Sequence, residues 1–177
     1  AAVLGLFLGS LVLPNAALYA RGVQNVEQMT IDEISNYFSL SWQENQLTLQ
    51  IFSKAEQEPE FRKELIEALV KRFVDETVNI RTRNLTRVFG SLNAREVLPQ
   101  LRKKWNEIGK ILQFGITENS QLRIHLLITI AKLLPEDEGI EFLIKTESDA
   151  TEAPVARFRA TILLCATGNK KAIEHVL

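Results

Sequence analysis

From residue 24 onward, apolar residues recur at intervals of three and four, and nowhere do they alternate with polar residues over a sustained run. That spacing lays apolar side chains along one face of an α-helix and does not fit a half-buried strand. Start signals punctuate it. Thr30-Ile31-Asp32-Glu33 and Ser41-Trp42-Gln43-Glu44 each place a hydroxyl residue three positions before a glutamate, which satisfies two free N–H groups at a helix N-terminus. Asn93-Ala94-Arg95-Glu96 follows the same logic. Pro59 and Pro154 suit a first helical turn, where the missing N–H needs no partner, and Gly90 and Gly168 suit the left-handed residue that closes a helix.

These boundaries predict four helix pairs. First helices begin near Trp42, Glu76, Asn119 and Glu152, and second helices near Pro59, Ala94, Glu136 and Lys170. The offset within a pair is 17 or 18 residues; pairs follow one another at 34, 43 and 33, the long step absorbed by a glycine-containing connector over 106–118. A unit of this period stacks on its neighbours, because one pair alone cannot bury both its faces. The faces agree with the boundaries. The helix expected over 76–89 gathers Val78, Leu85, Val88 and Phe89 opposite Arg83 and Arg87, and that over 94–108 aligns Val97, Leu98, Leu101, Trp105 and Ile108. The helix over 120–134 is apolar around most of its circumference, as an interior helix is. Val155, Phe158, Ile162, Leu163 and Ala166 give the last pair its expected packing face.

The run Arg83…Gly90-Ser91-Leu92-Asn93-Ala94-Arg95-Glu96-Val97-Leu98-Pro99-Gln100-Leu101 resembles a HEAT repeat: an arginine on the first helix, a short turn, then a Val-Leu-x-x-Leu second helix. Arg159-Ala160-Thr161-Ile162-Leu163-Leu164 with Gly168-Asn169-Lys170-Lys171-Ala172-Ile173 repeats the pattern, and Arg123 opens a looser copy. The Trp, Gly-Tyr and Pro landmarks of tetratricopeptide repeats are missing. The resemblance covers about residues 41–177 and concerns architecture. It implies an all-α fold, a right-handed α-solenoid of about four antiparallel helix pairs, and a role in scaffolding or binding other proteins.

Residues 21–40 read as a short helical connector. Residues 1–20 carry no charge: an apolar run over 1–13, the breaker Pro14-Asn15, then small residues before Arg21. This is the layout of a secretory signal or membrane anchor, although no basic region precedes it and the breaker interrupts the ~20 apolar residues a span requires. The alternative is a buried helix of the first layer. The reading therefore leans towards export or membrane association through 1–20, and otherwise towards a cytoplasmic protein. At the other end, 170–177 stays apolar-periodic without a stop signal, so the array is expected to continue beyond residue 177.

With 46% apolar residues, 24% charged residues and a net charge of −1, the chain is neither a disordered polyelectrolyte nor a multi-span membrane protein. One cysteine, Cys165, and two histidines, His125 and His175, exclude an intramolecular disulfide framework and a Cys₄ or Cys₂His₂ zinc site. Phosphate loops, dinucleotide fingerprints, nucleophile elbows and HExxH motifs are absent, so no catalytic residue, metal or cofactor is assigned. His125 is expected as a core or groove histidine and Cys165 as a buried inert thiol. Glu136, Asp137 and Glu138 answer a helix N-terminus, and the sequon at Asn84-Leu85-Thr86 falls inside a helix and not on a loop.

Charge is uneven along the chain. Residues 23–60 carry seven acids against one lysine; 79–110 carry eight bases against two acids; 118–156 carry eight acids against three bases. Such blocks can simply attract across layers. Their functional reading is a basic surface for an acidic partner, built from Arg83, Arg87, Arg102, Lys103 and Lys104. Interleaved aromatics for stacking bases are lacking, which argues against sequence-specific nucleic-acid recognition. The expected function is a non-enzymatic scaffold or adaptor that binds a protein partner. The alternatives are a helical accessory region of a larger enzyme or a HEAT-like lyase, and salt-dependent electrostatic binding of nucleic acid or anionic lipid.

Overall fold

The computed structural model describes residues 25–43, 45–77, 79–108 and 117–177. Among them the chain forms nine α-helices and no strand: α1 (Ile31–Leu40), α2 (Gln46–Gln57), α3 (Pro59–Asp75), α4 (Asn79–Ser91), α5 (Leu98–Ile108), α6 (Glu118–Leu133), α7 (Glu136–Ser148), α8 (Pro154–Thr167) and α9 (Lys170–Val176). Local chemistry sets most of the starts. The Thr30 hydroxyl accepts from the Glu33 N–H at 3.2 Å while the Glu33 carboxylate accepts from the Thr30 N–H at 2.9 Å, the expected capping box. Thr117 and Ser120 do the same for α6, at 2.8 and 3.1 Å. Pro59 and Pro154 occupy the first turns of α3 and α8, and Gly168, at φ 65°, closes α8 in the left-handed region.

Three expected boundaries move, each for a tertiary reason. Trp42 starts no helix; α2 begins at Gln46, because Asn45 takes the cap by accepting from the Thr48 N–H at 3.0 Å. Asn45 is itself held by donating to the Tyr37 hydroxyl at 2.8 Å, and Trp42 is left to pack against Phe38 and Phe52, with ring centroids 6.4 and 6.0 Å away. Gly90 does not close α4 but lies buried inside it, where an added Cβ would sit 3.3 Å from the Thr129 hydroxyl of α6. Asn93, at φ 48°, takes the left-handed position instead, and a 3₁₀ turn over Arg95–Val97 delays α5 to Leu98.

Packing follows chain order. Helix α1 packs on α3 and α4, α4 on α6, and α6 on α8; α2 packs on α3, α5 on α6, α7 on α6 and α8, and α9 on α8 and α7. Segment 31–40, expected as a connector, thus carries core residues: Ile34, Tyr37 and Phe38 are buried. Two apolar clusters result. The larger runs from Val26 to Leu134, and the smaller joins Leu127, Ile140, Leu143, Ala160, Leu164 and Ala172. Helix α6 contributes to both, with Leu122, Leu126, Leu127, Ile130 and Leu133 fully buried, as its all-round apolarity predicts.

Helix α8 turns a different face inward from the one expected. Its buried residues are Ala156, Ala160 and Leu164, while Phe158 and Ile162 are 66% and 40% exposed and Cys165 is exposed. Small residues at four-residue spacing let α8 lie against α6 and α7, and the bulkier stripe is left outside. Asn84 is buried and donates to the Ser39 carbonyl at 3.1 Å, which removes it from a glycosylation surface. The segment 1–20 and most of the 106–118 connector lie outside the described residues. Among the described residues no helix is long and apolar enough to cross a membrane.

Gly139 reports on the α6–α7 contact. A Cβ there would lie 2.7 Å from the Ala131 carbonyl oxygen, a backbone atom that cannot rotate away. Gly139→Ala is expected to destabilise the fold by ~1–3 kcal/mol, the strain outweighing the gain of about 1 kcal/mol in helix propensity. Urea unfolding with an unchanged denaturant slope would show it, and a more stable variant would contradict the packing described.

Candidate functional site

The largest fully buried side chain belongs to α6 and is charged. Arg123 is 2% exposed and forms a bidentate pair with Glu152, which is 3% exposed, on the turn before α8. Its third bond goes to the Trp105 carbonyl of α5, at 2.8 Å, and its guanidinium carbon lies 3.6 Å from the Trp105 ring centroid. Glu152 also accepts from the Ala153 N–H at 2.9 Å. Every charge here is answered inside the protein, so the pair joins α5, α6 and the start of α8. It lines a cleft of about 540 Å³, rimmed by Arg102, Asn106, Phe142 and Lys145.

The basic residues expected to form one surface fall into two groups with different partners. On α5, Arg102 lies 3.9 Å from Glu138 of α7, Lys103 and Lys104 lie 3.9 and 3.7 Å from Glu107, and Lys104 also stands 5.7 Å from the Phe73 ring. Each has a carboxylate nearby, and such exposed pairs contribute little to stability.

Arg83 and Arg87 sit one turn apart on α4 and look towards α6. Arg83 donates through Nη1 to Gln121 Oε1, while its buried Nε has no hydrogen-bond partner among the described residues. Arg87 is exposed, with its guanidinium carbon 5.6 Å from the Trp42 ring centroid. Gln121 and His125 repeat the one-turn spacing on α6, and exposed Arg159 adds a third guanidinium from α8. Half-buried His125 registers the field they create. Its pKa is pushed down to about 4, first by burial and then by Arg87, Arg83 and Arg159. Among the described residues, no carboxylate is among the groups acting on this imidazole.

Helices α4, α6 and α8 thus converge on a ridge that gathers positive charge. Counting charge along the chain could not find it, because Arg159 lies outside the basic block and Arg102, Lys103 and Lys104 lie inside it. The legible signal was polar residues one turn apart on neighbouring helices, Arg83 and Arg87 on α4 and Gln121 and His125 on α6. The remaining candidates are absorbed elsewhere: His175 Nε2 lies 2.9 Å from Glu147, and Glu136 accepts from Asn169 at 3.3 Å. Among the described residues no group of three His, Cys, Asp or Glu side chains could hold a metal ion. No protein-family model, curated protein or solved structure significantly matches the chain.

Two outcomes follow. Glu152→Gln leaves Arg123 buried against a neutral amide and is expected to cost ~3–5 kcal/mol, whereas replacing both with apolar residues of similar volume is expected to be close to neutral. Denaturant unfolding of the single and double variants checks this. For His125, the unfolded imidazole, with a pKa near 6.5, binds a proton more readily than the folded one at about 4. The unfolded state therefore holds more protons between these values, and the His125 contribution to stability is lost as pH falls from about 6.5 to about 4. The stability difference between wild type and His125→Gln should change across that window and be flat above it.

Proposed function

We propose that the chain is a HEAT-like α-solenoid segment acting as a non-enzymatic scaffold or adaptor, and that it binds an acidic protein partner along the α4–α6–α8 ridge. In this reading α1, α4, α6 and α8 are the first helices of successive pairs, α3, α5, α7 and α9 are the second, and α2 is an insertion in the first pair. The in-order packing of α1 on α4, α4 on α6 and α6 on α8 supports the arrangement. The observation that carries the function is the convergence of Arg83, Arg87 and Arg159 on His125, with no carboxylate acting there among the described residues. Guanidinium groups left without anionic partners on a folded surface attract carboxylates over a Debye length and fix them with charge-assisted bonds. A partner is therefore steered to the ridge before it docks, which is the efficient use of a charged surface on a scaffold.

Arg87 and Arg159 are both exposed, so reversing them tests binding without disturbing the core. Arg87→Glu/Arg159→Glu should weaken capture of fluorescein-labelled polyglutamate about tenfold or more at low ionic strength and less at physiological salt, with stability changed by under ~0.5 kcal/mol. Arg102→Glu/Lys103→Glu should leave that binding nearly unchanged. Equal loss in both variants would show a general charge effect and overturn the ridge as the site.

A further inference from the structure

The outward stripe of α8 carries more than charge. With Ala156, Ala160 and Leu164 turned inward, helical geometry places Val155, Phe158, Arg159, Ile162 and Ala166 on the opposite side. Phe158 and Ile162 are 66% and 40% exposed, and both are within one turn of Arg159. Isolated exposed apolar residues are ordinary; an aromatic ring and an aliphatic side chain flanking the end of a cationic ridge are a composite surface. At the α4 end lie Arg83 and exposed Arg87, one turn apart.

We propose that the ridge takes an extended peptide segment of a partner, acidic where it crosses α4 and α6 and apolar where it crosses α8. This rests on the reading of the ridge as the partner-binding surface. Packed helices lie ~8–10 Å apart, so α4 to α8 spans about 16–20 Å. An extended chain rises ~3.3 Å per residue, so about six residues cross the three helices. Carboxylates at one end meet Arg83 and Arg87, a further acceptor meets Arg159 beside His125, and one bulky apolar side chain covers Phe158 and Ile162. Charge complementarity sets the direction of the peptide, since an acidic residue on the Phe158–Ile162 stripe would be desolvated with only Arg159 beside it.

The test uses the full 177-residue chain and three fluorescein-labelled hexapeptides: Glu-Glu-Asp-Gly-Phe-Leu, the same acids followed by Gly-Ser-Ser, and Lys-Lys-Lys-Gly-Phe-Leu. The first is expected to bind about tenfold more tightly than the second, because it also buries an apolar side chain, and the third should not bind. Phe158→Ser/Ile162→Ser should abolish the preference for the first peptide over the second. Retention of that preference in this variant overturns the apolar subsite while leaving the ridge reading intact. If Arg87→Glu/Arg159→Glu leaves both acidic peptides bound as before, the ridge reading itself fails. Phosphatidylserine vesicles provide the remaining arm. Vesicle capture that depends on the same four side chains and is not displaced by the first peptide would assign the surface to a membrane, and the peptide proposal would be overturned.

Discussion

A guanidinium placed in the middle of a helical core must be neutralised there, and Arg123 is in that position on the helix with the most neighbours. Helix α6 touches α4, α5, α7 and α8, and its Leu122, Leu126, Leu127, Ile130 and Leu133 are fully buried. The bidentate pair with Glu152 answers the charge from the turn before α8, and the Trp105 carbonyl and ring close the rest of its surroundings. Burying two ions is expensive, so the pair is tolerated only with its bonds made, and making them requires α5, α6 and the α8 turn to arrive in one arrangement. Apolar burial supplies the driving force for packing around α6. The ion pair narrows the arrangements in which that burial is allowed.

That arrangement is what produces the ridge. Once α6 is fixed by its buried side, Gln121 and His125 can only point outward, and α4 and α8 bring their own outward residues to the same level. The field at His125 is therefore a consequence of core packing: two arginines of α4 and one of α8, over 70 residues away in sequence, are set around one imidazole because the helices that carry them both pack on α6. The charges on α5 belong to the opposite kind of environment. Arg102, Lys103 and Lys104 each have a carboxylate within 4 Å, supplied by α7 or by α5 itself, and their fields largely close on the protein's own surface.

What the sequence made legible was local. The Thr30–Glu33 box, the prolines at 59 and 154 and the glycine at 168 act within a few residues of themselves, and the structure uses each as read. The failures all involve competition settled at a distance. Ser41 and Asn45 could both cap the next helix, and the Tyr37 hydroxyl decides for Asn45. Gly90 reads as a stop but serves a close approach to Thr129. On α8 two stripes could be the core face, and hydropathy favours the one with Phe158, whereas close packing selects the small residues at 156 and 160. The ridge was missed in part for the same reason. Net charge per segment adds residues that face different ways, and only the stacking of α4, α6 and α8 separates them.

The most direct measurement is the imidazole pKa of His125, followed by NMR on the folded protein and on the Arg87→Gln/Arg159→Gln variant. It is expected at about 4 in the native protein and should move up towards 6.5 when the two arginines are neutralised, with burial and Arg83 left to depress it. An imidazole that titrates near 6.5 in the native protein, or one that does not respond to the loss of both arginines, would mean that no positive ridge converges on His125.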